Sequence, residues 1–130
     1  LGPERSATQI ELAQTDCRNI GIQAPVRSSG DTKGTPGVTL RGPGGTLTVP
    51  EGVMIADRHI HMTPAQAAAF GLADGDRVQV KIDGPKPGVM GGVLIRANDK
   101  CALDFHIDTD DGNAFLLKQG QLVTVLGKEE

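Results

Sequence analysis

Aromatic side chains are nearly absent from this sequence. They make up 2% of its 130 residues, with three Phe and no Trp or Tyr. Proteins that hold bases or sugars by stacking need aromatic platforms, so a surface of that kind is not expected here. No apolar run approaches the roughly 20 residues that cross a bilayer, and the sequence therefore predicts no membrane partner.

Cysteine and net charge are also low. The two cysteines, Cys17 and Cys101, are too few for the disulfide framework of a small secreted domain, and we expect reduced thiols in a cytoplasmic protein. Because they lack the short spacing of a zinc ribbon, both are interpreted as small buried apolar residues. The net charge is −3 with no block of one sign, which argues against a nucleic-acid partner.

Turn-forming residues, by contrast, are plentiful. The 18 Gly and 8 Pro residues are spread through the chain, a pattern typical of many turns between short strands. The run Val53–Met62 is predicted as the longest strand, and Arg77–Ile82 alternates cleanly between apolar and polar residues. Thr63 and Gln66 form the capping box of a short helix. We expect a mainly β fold with short α-helices, built as small β-barrels capped by helices.

A weak internal repeat accompanies this pattern. Three times, a strand runs into a short helix that begins near a threonine and ends near a glycine. Each of these strands carries a possible metal ligand at its end. The strand ends are Gln9–Glu11, Arg58–His61 and Asp104–His106, and the threonines are Thr15, Thr63 and Thr109.

The three histidines are the clearest candidates for chemistry. His59 and His61 are two residues apart on a predicted strand, so both imidazoles project from one face. His106 lies at another of the strand-to-helix corners. Three imidazoles without a thiolate are typical of an open, catalytic zinc site. The alternative is that the pair forms the polar face of a half-exposed strand.

Several charged residues have two interpretations. Glu11, at the remaining corner, is either a ligand of a second metal ion or a solvated carboxylate. Arg5, Arg58 and Arg96 are either anion-binding residues, because guanidinium matches phosphate in two-point contacts, or ordinary surface residues.

The acidic cluster Asp108, Asp110 and Asp111 has a Mg²⁺ or Ca²⁺ interpretation, but helix capping is favoured because the pattern of a calcium loop is missing. The sequence also has no Walker A motif, nucleophile elbow or dinucleotide fingerprint. The run Gly42–Gly45 opens no helix and is predicted to be a hairpin turn.

Six segments, in order along the chain, resemble those of the PduL-type phosphotransacylases, also called phosphate propanoyltransferases. The Arg-His-Ile-His-Met segment, followed at a distance by His-Ile-Asp-Thr-Asp, is the most specific. The segments are Leu1-Gly2-Pro3 with Arg5, Thr8-Gln9-Ile10-Glu11, Ala24-Pro25-Val26-Arg27-Ser28-Ser29-Gly30, Gly34-Thr35-Pro36-Gly37, Arg58-His59-Ile60-His61-Met62, and His106-Ile107-Asp108-Thr109-Asp110 with Asn113.

The resemblance implies two helix-capped β-barrels, a dinuclear zinc site and binding of coenzyme A. It implies that His59, His61 and His106 hold one Zn²⁺ ion and that Glu11 is a ligand of the other. Arg5 would bind phosphate. The remaining positions expected to line the active site are Gln9, Ser29, Arg96 and Asn113.

One departure from the family concerns the start of the chain. Family members carry an earlier Arg-His-x-His segment, so this chain resembles their carboxyl-terminal two-thirds. We therefore expect residues 1–56 to be the remainder of one barrel and residues 57–130 to be the second barrel, which carries the histidines. The expected partners are the N-terminal segment with its Arg-His-x-His motif and a second subunit in a homodimer.

The function expected from this resemblance is a zinc-dependent phosphotransacylase. It would convert a short-chain acyl-CoA, propanoyl-CoA or acetyl-CoA, and phosphate reversibly into acyl phosphate and CoA, in the cytoplasm or in the lumen of a bacterial microcompartment. Two alternatives stay open: a zinc-dependent acyl-CoA hydrolase, in which the same imidazoles activate water, and a non-catalytic metal- or ligand-binding barrel.

Overall fold

The computed structural model describes residues 5–129, so the Leu1-Gly2-Pro3 segment of the resemblance lies outside the described residues. The chain divides into two compact units, Leu1–Ala56 and Asp57–Glu130. Across the described residues, ten strands and three short helices confirm the predicted mainly β class. Within residues 5–129 no sheet closes on itself, so the two barrels stay a prediction. None of the helices there is long and apolar enough to span a bilayer.

The first unit contains a small parallel sheet and a hairpin. Strands β1 (Ile10–Glu11) and β2 (Val26–Arg27) pair with the two sides of β5 (Val53–Ala56), both in parallel. Strands β3 (Val38–Gly42) and β4 (Gly45–Val49) form the predicted antiparallel hairpin. β1 therefore ends beside β5, which fixes the position of Glu11 at the edge of the sheet.

Helix α1 (Gln14–Ile20) follows β1 and ends at Gly21, whose φ of 73° is the left-handed conformation that glycine adopts without strain. The prediction that this helix starts after a Thr15 cap is wrong, because Ala13 occupies the capping position and makes no side-chain hydrogen bond. Ala13 and Cys17 lie one turn apart and are 4% and 0% exposed. Burial of this face, rather than capping, fixes where the helix begins.

The second unit is organised around a five-stranded mixed sheet. Its order is β10 (Thr124–Lys128), β7 (Arg77–Ile82), β8 (Gly88–Ala97), β6 (His59–Met62) and β9 (Asp104–His106). β6 and β8 run parallel, whereas the other neighbours are antiparallel. β9 and β10 are consequently the two edge strands.

The predicted alternation of β7 is confirmed. Val78, Val80 and Ile82 are fully buried, whereas Arg77 and Lys81 are exposed. Burying an aliphatic side chain of this size contributes roughly 1.5–3 kcal/mol, so this stripe anchors the unit. The other buried members of the same core are Ile60, Met62, Ala67, Leu72, Met90, Val93 and Ile95.

Helix α2 (Pro64–Ala69) has the predicted capping box. The Gln66 backbone N–H donates to the Thr63 hydroxyl at 3.2 Å, and the Thr63 backbone N–H donates to the Gln66 side chain at 2.9 Å. Two of the unpaired N–H groups at this helix terminus are thereby satisfied.

Helix α3 (Thr109–Phe115) begins two residues earlier than an Asp110 cap would allow. Asp108 is the cap, since its carboxylate accepts a hydrogen bond from the Asp111 N–H at 2.8 Å. The sequence pattern places the cap of this helix at Thr109 or Asp110, and this prediction is wrong in position. The prediction that the acidic cluster caps a helix rather than binding a cation is supported for Asp108.

The prediction of one continuous strand over Val53–Met62 is also wrong. Asp57 and Arg58 interrupt it and separate β5 from β6. The carboxylate of Asp57 forms an ion pair with Arg77. β5 belongs to the sheet of the first unit and β6 to the sheet of the second.

Candidate metal centre

The pairing of β6 with its neighbours brings all three histidines together. His59 and His61 occupy alternate positions of β6, so they share one face of the strand. β9 runs antiparallel to β6 with His106 directly opposite His59. Directly opposed residues of an antiparallel pair have neighbouring side chains, which places the third imidazole beside the first two.

The three imidazoles form a compact cluster. The Nε2 atoms of His59 and His61 are 3.1 Å apart, and the ring centroids are separated by 4.7, 5.0 and 4.9 Å. One ligand nitrogen from each ring lies within 4.8 Å of the others. The three histidines are therefore close enough to bind one metal ion. Within residues 5–129 this is the one such group of His, Cys, Asp and Glu side chains.

Exposure differs across the cluster. His59 is buried, with 8% of its surface exposed, whereas the side chain of His106 is 47% exposed. The exposure of His61 is intermediate between these two. The cluster is therefore buried at His59 and accessible to solvent at His106.

Each imidazole has one ring nitrogen close to a polar group outside the three-histidine cluster. His59 Nδ1 lies 2.8 Å from the Asp57 carbonyl oxygen, and His61 Nδ1 lies 3.1 Å from Cys101 Sγ. His106 Nε2 lies 3.2 Å from an Asp104 carboxylate oxygen. Metal-binding histidines almost always have such a partner, because it fixes the ring and its tautomer. The residues present thus fit a bound metal ion.

The electrostatics of the cluster favour neutral imidazole at His61. Burial lowers the pKa of His61, and the neighbouring His59, His106 and Arg96 lower it further, whereas Asp104 opposes them. Neutral imidazole is the form that binds a metal ion. The uncharged form of His61 is therefore favoured at neutral pH.

An ion pair holds the start of β6 against α3. Arg58 Nη2 lies 3.1 Å from Asp111 Oδ1. Burial raises the pKa of Asp111, and the adjacent Asp108 and Asp110 add to this, whereas Arg58 lowers it. Of the predicted anion-binding arginines, Arg58 is thus engaged in an internal ion pair.

Three of the predicted site residues meet in the first unit. The Gln9 side-chain amide donates to Glu11 Oε1 at 2.5 Å and to Ser29 Oγ at 3.0 Å. The Gln9 amide oxygen accepts a hydrogen bond from the Gly30 N–H at 2.7 Å. Arg5 is exposed, and no hydrogen bond or ion pair within residues 5–129 joins it to this group.

Arg96 and Asn113 lie in the second unit. Arg96 is the β8 partner of His61 in the sheet and is close enough to affect its pKa. Asn113 lines a cavity of about 740 Å³ whose walls include Phe105, Leu117 and Val125. Asn113 is one of several polar residues among the apolar ones that line this cavity.

Sequence reasoning missed the partners of the histidines. Cys101 was expected to be a buried apolar residue; instead it is half-buried and contacts His61. The other cysteine, Cys17, is buried as predicted. No pattern in the sequence links Cys101 to a residue 40 positions away. Asp104 is two residues before His106 and could have been found from spacing, because alternate residues of a strand share one face.

The fold and the cluster define a β-rich protein with a three-histidine centre able to hold one metal ion. The model of the phosphate propanoyltransferase family matches residues 1–118. The chain belongs to the phosphate propanoyltransferase family.

Curated relatives named phosphate propanoyltransferase are similar over most of the chain. The Thermotoga maritima protein is 46% identical over 127 residues, covering 97% of this chain and 60% of that protein. The protein of Lachnoclostridium phytofermentans is 44% identical over 126 residues, covering 97% and 59%. The protein of Salmonella typhimurium is 47% identical over 115 residues, covering 88% and 55%. The chain thus spans about 60% of the length of the curated relatives it matches.

Proposed function

We propose that this chain forms part of a zinc-dependent phosphotransacylase. The reaction converts a short-chain acyl-CoA, propanoyl-CoA or acetyl-CoA, and inorganic phosphate into acyl phosphate and free CoA, and it is reversible. The observation that carries the proposal is the three-histidine cluster in a chain of the phosphate propanoyltransferase family. The name of the curated relatives, phosphate propanoyltransferase, supports transfer of a propanoyl group to phosphate.

The proposed metal ligands are His59, His61 and His106 for one Zn²⁺ ion and Glu11 for a second. When bound, zinc supplies Lewis-acid chemistry toward the acyl oxygen or the CoA sulfur. Three neutral imidazoles suit Zn²⁺ because its catalytic sites keep three protein ligands and one free position. The hydrogen bond from Gln9 supports the role of Glu11 by holding its carboxylate in one orientation.

The other proposed roles belong to residues that bind and orient the substrates. Arg5 binds phosphate, because a guanidinium holds two phosphate oxygens at once and aims a weak, charged nucleophile. Its exposure leaves the side chain accessible to an anion. Gln9, Ser29, Arg96 and Asn113 line the substrate site.

An additional N-terminal segment completes the enzyme in this proposal. It supplies a second Arg-His-x-His motif for the second zinc ion and strands that close the two barrels. The length of the relatives supports it, because the chain covers only 60% of one of them. The edge strands β9 and β10 also support it, since Phe105 and Val125 line an open apolar cavity in the same unit. A homodimer located in the cytoplasm or a microcompartment lumen completes the proposal.

The decisive experiment measures CoA release from propanoyl-CoA with and without inorganic phosphate, after zinc reconstitution. It uses the chain alone and the chain co-expressed with the corresponding N-terminal segment of the Thermotoga maritima relative. We expect zinc-dependent release that requires phosphate. Release that is independent of phosphate would instead support the hydrolase, and zinc binding without any release in either preparation would support the non-catalytic alternative.

Arg5→Ala separates the phosphate role from general effects on the enzyme. Because Arg5 is exposed, its removal should leave folding unchanged. We expect the KM for phosphate to rise by about tenfold or more, as a lost charge-assisted contact predicts, with the KM for propanoyl-CoA nearly constant. Arg41→Ala, another exposed arginine of the first unit, is the control. A change confined to the CoA substrate would assign Arg5 a different role.

A further inference from the structure

We propose that Arg77 is a positioning residue of the metal centre, acting on His59 through Asp57. This inference rests on the proposed metal-binding function of the histidine cluster. Arg77 does not contact a histidine itself. Its influence passes through two contacts, one between the Arg77 and Asp57 side chains and one between the Asp57 backbone and the His59 ring.

The contact at His59 determines which nitrogen of the ring is available. The Asp57 carbonyl oxygen lies 2.8 Å from His59 Nδ1 and can only accept a hydrogen bond. Nδ1 must therefore carry the proton, which leaves a lone pair on Nε2. That Nε2 atom faces His61 Nε2 at 3.1 Å, inside the cluster. The direction of one carbonyl group thus sets the ligand atom of the buried histidine.

The sheet does not fix this carbonyl group. Asp57 lies between β5 and β6, outside both strands. The peptide group that carries the Asp57 carbonyl can therefore rotate unless another contact restrains it. The Asp57 side chain, which is only 16% exposed, provides that contact through its ion pair with Arg77.

Both terminal nitrogens of the Arg77 guanidinium contact the Asp57 carboxylate. Its Nη2 atom lies 2.6 Å from Asp57 Oδ2, and its Nη1 atom lies 3.4 Å from Oδ1. Nη1 also donates to the Gly92 carbonyl oxygen of β8 at 2.5 Å. A planar guanidinium bound at both ends allows little rotation of the carboxylate. The hydrogen bond with Asp57 raises the pKa of Arg77, so the guanidinium stays charged.

The test compares Arg77→Met with Lys128→Met in the full chain. Met keeps most of the apolar stem of each side chain and removes the charge. Lys128 of β10 pairs at 2.7 Å with Asp76, the residue before β7. This ion pair lies in the same unit but includes none of the residues that contact the three histidines. Both variants thus lose one ion pair between an exposed cation and a largely buried carboxylate, and only Arg77→Met loses the contact with Asp57.

Three quantities are measured for each variant. The first is the affinity for Zn²⁺ and Co²⁺ by competition with a chelator. The second is the visible absorption spectrum of the Co²⁺ form, which reports ligand geometry. The third is the tautomer of His59 in the metal-free protein, from ¹⁵N NMR shifts of the ring.

We expect Arg77→Met to weaken binding of both ions by about 10- to 100-fold, as the loss of outer-shell partners generally does. It should also change the Co²⁺ spectrum and mix the His59 tautomers. Lys128→Met should match the parent protein in all three. Parent-like binding and spectrum in Arg77→Met would overturn the proposal, and so would an equal loss in Lys128→Met.

A second variant covers a failure of Arg77→Met to fold. Asp57→Asn keeps the backbone carbonyl and the side-chain shape but removes the charge that Arg77 holds. It should weaken Zn²⁺ binding by about tenfold, and unchanged binding would count against the proposal. If the parent protein binds neither ion, the proposed function fails, and the His59 tautomer still decides whether Arg77 orients the ring.

Discussion

The Nε2 atoms of His59 and His61 face each other at 3.1 Å. Because the Asp57 carbonyl accepts from Nδ1 of His59, the Nε2 of His59 has a lone pair. Without a metal ion, His61 must then donate from its own Nε2, and its Nδ1 accepts from the thiol of Cys101 at 3.1 Å. If His59 and His61 held a metal ion through their Nε2 atoms, the proton of His61 would lie on Nδ1 and would be donated to the sulfur.

Metal binding should therefore change the tautomer of His61 and reverse its hydrogen bond with Cys101. A ¹⁵N NMR titration with Zn²⁺ should show the proton moving from Nε2 to Nδ1 at His61 but staying on Nδ1 at His59. Cys101→Ser keeps a group that both donates and accepts, whereas Cys101→Ala keeps neither. We expect Zn²⁺ affinity to fall by about tenfold in Cys101→Ala and much less in Cys101→Ser.

The prediction for Cys101 has two ways to fail. A His61 ring that already carries its proton on Nδ1 before zinc is added would contradict the proposed tautomer. Equal zinc affinities for the alanine and serine variants would show that the contact with sulfur does not contribute to binding.

His106 offers the cleanest test of a ligand role. Its side chain is 47% exposed, so His106→Ala should cost little folding stability. We expect the variant to lose tight Zn²⁺ binding, because two imidazoles remain where three are needed. Asp104→Asn, which weakens the partner of His106, should lower the affinity by about tenfold. Metal content by mass spectrometry and competition titration measure both effects.

The control for this series is Leu122→Ala, at a residue that is 92% exposed. It should bind zinc as the parent chain does. If His106→Ala retained one zinc ion per chain with parent affinity, the third imidazole would not be a ligand.

Local patterns were enough to predict much of the second unit. The alternation of apolar and polar residues over Arg77–Ile82 predicted β7 and its buried face, because successive side chains of a strand point to opposite faces of the sheet. The spacing of His59 and His61 placed both rings on one side for the same reason. The capping box at Thr63 likewise depends on residues three positions apart.

Long-range pairing could not be predicted in the same way. The repeat of strand-to-helix corners suggested that His106 joins the other two, but only the register of β6 against β9 sets it opposite His59. The contact of Arg77 with Asp57 spans 20 residues. Asp57 is one of the two residues that interrupt the predicted Val53–Met62 strand, and its ion-pair partner lies on a different strand.

Gly37 is required by close packing in the first unit. A Cβ atom at this position would collide with the Val49 carbonyl oxygen and lie 2.5 Å from the Pro50 carbonyl oxygen. Both obstacles are backbone atoms, which cannot turn aside as a side chain can. Gly37→Ala should therefore lower the free energy of unfolding by about 1–3 kcal/mol, as overpacking generally does.

The matched control is Gly44→Ala in the hairpin turn. A Cβ atom there meets nothing within 4 Å, so this substitution should be close to neutral. Urea unfolding of the two variants, followed by circular dichroism, measures the difference. Equal stabilities would mean that the backbone around Val49 and Pro50 moves aside at little cost.

Asp76 should make folding stability depend on pH in the acid range. A hydrogen bond from Lys128 holds the pKa of Asp76 below its ordinary value of 3.8, the Ala73 N–H and the charge of Lys128 lower it further, and burial opposes them. A carboxyl whose pKa is lower in the folded state binds protons more readily when unfolded. Its contribution is therefore fully present above pH 3.8, and it is lost as the pH falls through the lower pKa of the folded state.

Replacing Asp76 with Asn should reduce stability near neutral pH and flatten the acid limb of the curve of unfolding free energy against pH. Lys128→Met should act in the same direction but less strongly, since the Ala73 N–H still donates to Asp76 at 2.9 Å. Unfolding in guanidinium chloride at a series of pH values, with a chelator present to remove metal, measures both curves. If the Asp76→Asn curve ran parallel to that of the parent chain, the acid dependence would have to arise from other carboxylates, because Asn cannot titrate in this range.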